Sequence, residues 1–128
     1  MSPALQVLDP PTAQLVGSVC ELIVPGCERI GAHVYVDALL ARMPDADRAG
    51  ALAAFAALAE PAGRGAEGLA EVALTPAFQL ARSLACEAFY SDFVAPGATG
   101  PGSWQEIGFQ PPQAVRLHKD WSYLGVTG

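Results

Sequence analysis

Proline residues divide the first part of this chain into segments that are each long enough for one short helix. Pro10, Pro25, Pro44, Pro61 and Pro76 all stand at the ends of stretches whose apolar residues recur at helical spacing. Proline lacks a backbone N–H and has a fixed φ, so it is accepted in the first turn of a helix and ends a helix elsewhere. The chain is therefore expected to form several short helices.

The first predicted helix has the clearest signals. Asp9 is a capping residue, and Pro10 takes the first helical position, where a missing N–H costs nothing. Val24-Pro25-Gly26 ends this helix, because Pro25 cannot continue the hydrogen-bond ladder. Apolar residues recur at helical spacing between these ends, and the expected buried face consists of Leu15, Val16, Val19, Cys20, Leu22 and Ile23.

Three longer helices are predicted after the first, over residues 30–43, 45–60 and 76–93, and a short segment at 66–74 is expected to form a helical turn or two. Thr75 is the expected cap of the last long helix. Evidence for strands is confined to Val34-Tyr35-Val36, which lies inside a longer helical period. We therefore predict one all-α domain, a small antiparallel bundle of four to five helices.

The chain beyond residue 94 has a different character. Glycine and proline crowd residues 96–102, and short helical turns are expected only near 102–107 and 112–118. We therefore divide the single domain into a helical body, residues 1–94, and a long loop-rich C-terminal arm, residues 95–128.

The arm and the helix before it carry large aromatic side chains, which need a surface to pack against. That surface is either the helical body or another protein. A mixture is expected, with Trp104 and Phe109 mostly internal and Trp121 and Tyr123 mostly at an interface. The predicted partner interface consists of Tyr90, Trp104, Phe109, Trp121 and Tyr123.

The charge of the chain argues against binding to nucleic acid. The formal net charge is −6, the isoelectric point is near 4.6 and the cationic residues form no basic run, whereas a nucleic-acid surface needs a positive patch. No apolar run reaches the roughly 18 residues of a membrane-spanning helix. Residues 1–9 lack the positive start of an export signal. We therefore expect a cytoplasmic protein that binds neither nucleic acid nor membranes.

No residue set forms a complete catalytic or metal site. His33 and Asp37 share a helix face at a spacing of four, and we expect a solvated surface pair there, with Arg42 also facing outward. His118 lies in the arm beside other charged residues. The two histidines are far apart and have no metal-ligand spacing. We therefore predict no catalytic, cofactor-binding or metal residue in this chain.

Two further motifs have structural interpretations. The run from Gly63 to Gly68 matches G-x-G-x-x-G, but it follows a helix rather than a strand, so we interpret it as a flexible linker. The three cysteines are expected to be reduced thiols. Cys20 and Cys86 are assigned to the core, and Cys27, which follows Pro25-Gly26, is expected to be the one that solvent reaches.

Two segments together resemble a known family. The first is a helix that ends in an apolar pair, proline and glycine, and the second is an aromatic-Ser-Asp corner followed by a glycine-rich spacer and a Trp-x-x-aliphatic-Gly-aromatic unit. In this chain they are Cys20-Glu21-Leu22-Ile23-Val24-Pro25-Gly26, Phe89-Tyr90-Ser91-Asp92 and Trp104-Gln105-Glu106-Ile107-Gly108-Phe109. This order is similar to the gluconate 2-dehydrogenase subunit 3 family, the small subunits of FAD-dependent dehydrogenases whose large subunit is of the glucose-methanol-choline (GMC) type.

The resemblance implies a non-catalytic accessory subunit that binds and stabilises an FAD-dependent large subunit acting on a sugar, glycoside, alcohol or natural product. In that family the FAD and the catalytic base belong to the large chain, so no cofactor is expected here. Two alternatives stay open. One is a stand-alone small helical enzyme that uses His33 or His118, and the other is a binding module that self-associates through its arm.

Overall fold

The structure, a computed structural model, describes residues 4–108 and 124–125. This part of the chain contains helices and no strand, which confirms the predicted all-α fold class. It includes no helix that is long and apolar enough to cross a membrane. The helices are α1 (Pro10–Ile23), α2 (Cys27–Ile30), α3 (Ala32–Ala41), α4 (Asp45–Ala57), α5 (Ala59–Gly63), α6 (Gly65–Glu71), α7 (Pro76–Tyr90) and α8 (Ser103–Glu106).

Helices α1 and α7 begin where the sequence predicts. The carboxylate of Asp9 accepts a hydrogen bond from the Thr12 N–H at 2.8 Å, and the Thr75 hydroxyl accepts one from the Phe78 N–H at 3.3 Å. Each helix has proline in its first turn. Local capping chemistry therefore sets both starting points.

The predicted helix over residues 30–43 forms as α3, Ala32–Ala41, and Gly31 sets its start. This glycine has a φ of 73° and separates α2 from α3. A Cβ atom at this position would lie 2.5 Å from the Cβ of Ala95, and the Ala95 N–H donates to the Ile30 carbonyl at 2.8 Å. Glycine is therefore needed both for the left-handed backbone and for the close approach of the chain after α7.

The G-x-G-x-x-G run forms a tight helical hairpin rather than the expected flexible linker. The predicted helix over residues 45–60 ends at Ala57, and Gly63 ends α5 while Gly65 begins α6. A Cβ atom on Gly68 would lie 2.1 Å from the Pro61 carbonyl oxygen. The glycine at this position therefore allows α5 and α6 to pack backbone against backbone.

The core lies around α1, which contacts every helix from α2 to α7. Val16, Val19 and Cys20 of α1 are fully buried, as predicted. The rings of Tyr35 and Phe93 pack edge to face across this core, with centroids 5.3 Å apart. Apolar burial of this kind is the main source of stability for a domain of this size.

Asp37 is buried, so the prediction that it faces solvent is wrong. Only 2% of its surface is exposed. Its Oδ2 accepts a hydrogen bond from the Gln6 N–H at 2.8 Å, and its Oδ1 accepts from the Val7 and Leu8 N–H groups at 2.8 and 2.9 Å. Three donors replace water around the charge, and they hold residues 6–8 as a strap across α3.

Replacing Asp37 should destabilise the protein. In Asp37→Asn the amide NH2 group faces backbone N–H donors, so at least one buried donor loses its partner. We expect the free energy of unfolding in urea to fall by roughly 2–4 kcal/mol. Amide hydrogen exchange of residues 6–8 should also accelerate more than exchange in α7.

The matched control is Asp47→Asn, which removes an exposed carboxylate from the first turn of α4. This change should cost less than about 1 kcal/mol, since it affects only the helix dipole. Equal losses for the two variants would show that the strap contacts do not stabilise the fold.

Candidate functional site

The end of α7 and the start of α8 form a corner in which each helix caps the other. Asp92 has a φ of 63°, which turns the chain out of α7, and it is 5% exposed. Its Oδ1 accepts a hydrogen bond from the Trp104 N–H at 3.0 Å. This N–H belongs to the first turn of α8 and has no intrahelical acceptor, so Asp92 caps α8 from outside.

The first residues of α8 cap α7 in return. The Ser103 hydroxyl, which is fully buried, donates to the Phe89 carbonyl. The Trp104 Nε1–H donates to the Tyr90 carbonyl at 2.9 Å. Both carbonyls lie in the last turn of α7, beyond the reach of the regular helical donors, and the Phe89 carbonyl also accepts the Asp92 N–H at 3.4 Å. A Cβ atom on Gly102 would lie 1.9 Å from the Asp92 Oδ1, so glycine is required at this contact.

The glycine- and proline-rich loop before α8 is held against the body by Arg29. Its Nη1 donates to the Thr99 carbonyl at 3.2 Å and to the Pro101 carbonyl at 2.8 Å. Gly100, between these residues, has a φ of 90°, and a Cβ atom there would lie 2.9 Å from the same Nη1. The part of the predicted arm from Ala95 to α8 is therefore packed on the helical body.

Apolar side chains surround this corner at the surface. Tyr90 is 52% exposed and Ile107 is 51% exposed, while Trp104 is partly buried. The Tyr90 ring packs edge to face against Phe89, with centroids 5.0 Å apart. We call the group of Tyr90, Trp104 and Ile107 the corner surface. The capping hydrogen bonds hold the backbone at Tyr90 and Trp104, so these two residues have little backbone freedom to lose on binding.

The structure brings together two of the five predicted interface residues, Tyr90 and Trp104. The other three, Phe109, Trp121 and Tyr123, lie outside the described residues, as does His118.

Three positions that the sequence predictions left without a role prove to organise the corner. Asp92 and Ser103 supply the reciprocal caps, and Arg29 holds the loop between them. A serine and an aspartate beside the ends of predicted helices are a capping signal. The sequence around each residue does not indicate that Asp92 and Ser103 cap opposite helices, because that pairing depends on how the loop between them folds.

A second feature is a groove of about 420 Å³ between the N-terminal half of α1 and the start of α3. Residues of α1 form one wall, and His33 and Glu28 lie on the other. The described residues that line it are Pro10, Ala13, Gln14, Gly17, Ser18, Glu28 and His33.

His33 is half-buried in this groove. Burial lowers the pKa of its imidazole, and the nearby charges of Asp37 and Glu28 oppose that change. The imidazole therefore favours its neutral form at pH 7. Both carboxylate oxygens of Asp37 accept hydrogen bonds from the strap, so the predicted solvated pair of His33 and Asp37 does not form.

Of the residues in the described part of the chain, no group of three or more His, Cys, Asp or Glu is placed to hold a metal ion.

Two of the three cysteine predictions are wrong. Cys27, which we expected solvent to reach, is fully buried, and Cys86, which we assigned to the core, is partly exposed. Burial raises the pKa of the Cys27 thiol to about 12 and raises the pKa of Cys20 as well. Helix α2 packs against α7, where the Cys27 thiol donates to the Ala85 carbonyl at 3.9 Å, so the turn following Pro25-Gly26 faces inward.

A scan of protein-family models and searches of curated proteins and of solved structures find no match to this chain. The resemblance to a family described above therefore rests on its motifs alone.

Substitution of Asp92 should show how much the corner depends on this residue. Asp92→Ala removes the acceptor for the Trp104 N–H and places a residue that disfavours positive φ at a φ of 63°. We expect a loss of about 2 kcal/mol in the free energy of unfolding, measured in urea. Asp92→Asn keeps an acceptor oxygen and tolerates this backbone, so it should lose less than about 1 kcal/mol. Equal losses would contradict the capping role.

The thiols should react in two classes. In the folded protein we expect a disulfide reagent such as dithionitrobenzoate to modify Cys86 first, because thiolate and access are both needed for reaction. Cys20 and Cys27 should react only as the protein unfolds. Cys86→Ser should therefore remove the fast phase and leave the slow one. A fast phase that survives this substitution would show that a buried thiol is reachable.

Proposed function

We propose that this chain is a non-catalytic small subunit that binds and stabilises a cytoplasmic FAD-dependent oxidoreductase of the GMC type. The order of the motifs around Val24-Pro25-Gly26 and from Phe89 to Phe109 supports the identity of the partner. The corner surface supports the mode of binding. In this proposal the partner holds the FAD and acts on a sugar, glycoside, alcohol or natural product.

The corner surface has properties that suit a protein interface. Tyrosine and tryptophan are enriched among residues that dominate binding energy, and this surface presents Tyr90 and Trp104 beside Ile107. The reciprocal caps fix the backbone at Tyr90 and Trp104, and the Ile107 N–H donates to the Ser103 carbonyl at 2.9 Å. A rigid aromatic surface binds at a lower entropic cost than one that must first be ordered.

A subunit of this kind acts by mass action rather than by chemistry. A partner that binds only the folded large subunit shifts that subunit toward its folded state. The stabilisation grows with the concentration of the small subunit and needs no catalytic residue in it. The hydrogen bonds that occupy Asp37 also weigh against the alternative of a catalytic His33–Asp37 pair.

The test is co-expression with a GMC-type FAD-dependent oxidoreductase from the same genome, beginning with any that is encoded next to this chain. We expect the two chains to co-purify, with the flavin absorbance of the large subunit in the same sizing peak. The double variant Tyr90→Ala with Ile107→Ala should weaken the complex at least about tenfold, since truncating interface anchors commonly costs more than 1 kcal/mol each.

Leu74→Ala is the matched control. Leu74 is 95% exposed and lies just before the opposite end of α7, so its loss removes apolar surface away from the corner. This variant should bind as the unmodified chain does. If the flavoprotein is equally soluble and active alone and no complex appears, the proposal is wrong. A sizing peak that contains only copies of this chain would favour the self-associating alternative.

A further inference from the structure

The groove between α1 and α3 offers hydrogen-bond acceptors and negative charge together. Glu28 is exposed at its edge, and His33 is held toward its neutral form, so its ring carries an unprotonated nitrogen. The Gln14 amide and the Ser18 hydroxyl add further acceptor oxygens. Gly17 has no side chain and leaves the middle of the α1 wall open, since a Cβ there would meet nothing within 4 Å.

Among the described residues that line the groove, the one with a full charge at neutral pH is Glu28. The charge of Asp37 reaches His33. The Glu21 carboxylate lies next to Glu28 and accepts the Glu28 N–H at 2.9 Å. No lysine or arginine is among the described lining residues. The nearest arginine in sequence, Arg29, donates to the loop carbonyls of Thr99 and Pro101 instead.

We propose that this groove binds a guanidinium or alkylammonium group, with the Glu28 carboxylate as counter-ion and His33, Gln14 and Ser18 as acceptors. The volume of about 420 Å³ lies in the range of small-molecule sites. Pro10 and Ala13 supply an apolar wall for the carbon atoms next to the cation. The overall charge of −6 also raises the local concentration of cations. This inference does not depend on the proposed oxidoreductase partner.

Methylguanidinium chloride is the first probe, added to the full chain and followed by NMR. We expect saturable shifts at the backbone amides of Gly17 and Ser18 and at the ring protons of His33. Binding should also lower the pKa of His33, because a bound cation disfavours the imidazolium. The Glu28 and Asp37 carboxylates act on that pKa in the opposite direction.

Glu28→Gln is the test variant, and Glu67→Gln, which removes an exposed carboxylate from α6, is its control. Glu28→Gln should weaken methylguanidinium binding about threefold, the scale of a solvent-exposed ion pair, and Glu67→Gln should leave it unchanged. Equal affinities for the two variants would overturn the proposal. So would shifts no larger than those from sodium chloride at equal ionic strength, or tighter binding of acetate.

A second probe separates the two sources of such a cation. Acetyl-Gly-Arg-Gly-amide carries the same group on a peptide backbone. Tighter binding of this peptide than of methylguanidinium would assign the groove to an arginine of another protein. Equal or tighter binding of methylguanidinium would assign it to a small free cation.

Discussion

The placement of the central helix depends on one buried carboxylate. Asp37 holds residues 6–8 through three backbone hydrogen bonds, and this strap leads directly into Asp9, which caps α1. Helix α1 then contacts each helix from α2 to α7. A charge in this position would be costly without donors, and the strap that supplies them is also anchored by Leu8, which is buried in the core. The two features stabilise each other and fix how α1 enters the core.

The corner between α7 and α8 also depends on hydrogen bonds between polar groups from separate segments. Helix ends carry backbone groups without intrahelical partners, and the chain uses side chains from distant segments to satisfy them. Asp92 supplies the acceptor, while Ser103 and Trp104 supply the donors. Most of the hydrogen-bonding groups at this corner are therefore already paired within the chain. The exposed side chains of Tyr90 and Ile107 remain available for contact with a partner.

The sequence was informative where structure is decided locally. Asp9-Pro10 and Thr75-Pro76 located the starts of α1 and α7, because a cap and a first-turn proline act within a few residues.

The sequence did not predict contacts between residues that lie far apart in the chain. The break at Gly31 is needed to admit Ala95, and Asp37 is buried because donors arrive from the strap. An aspartate within the apolar run of α3 was the available signal, and helical periodicity alone assigned it to solvent. Of the predicted interface residues, Tyr90 and Trp104 lie together at the corner, and the hydrogen bonds that join their segments could be found only from the fold.

The corner surface can form only when both sides of the reciprocal caps are in place. Helix α8 has four residues, which is too short to persist in water by itself. Its donors and acceptor partners are positioned only after α7 is complete and Asp92 has turned the chain. The juxtaposition of Tyr90 with Trp104 therefore requires both the end of α7 and the Asp92 turn to be in place. A protein that recognises this surface would discriminate finished molecules from partly folded ones, and assembly would act as a checkpoint on the maturation of this chain.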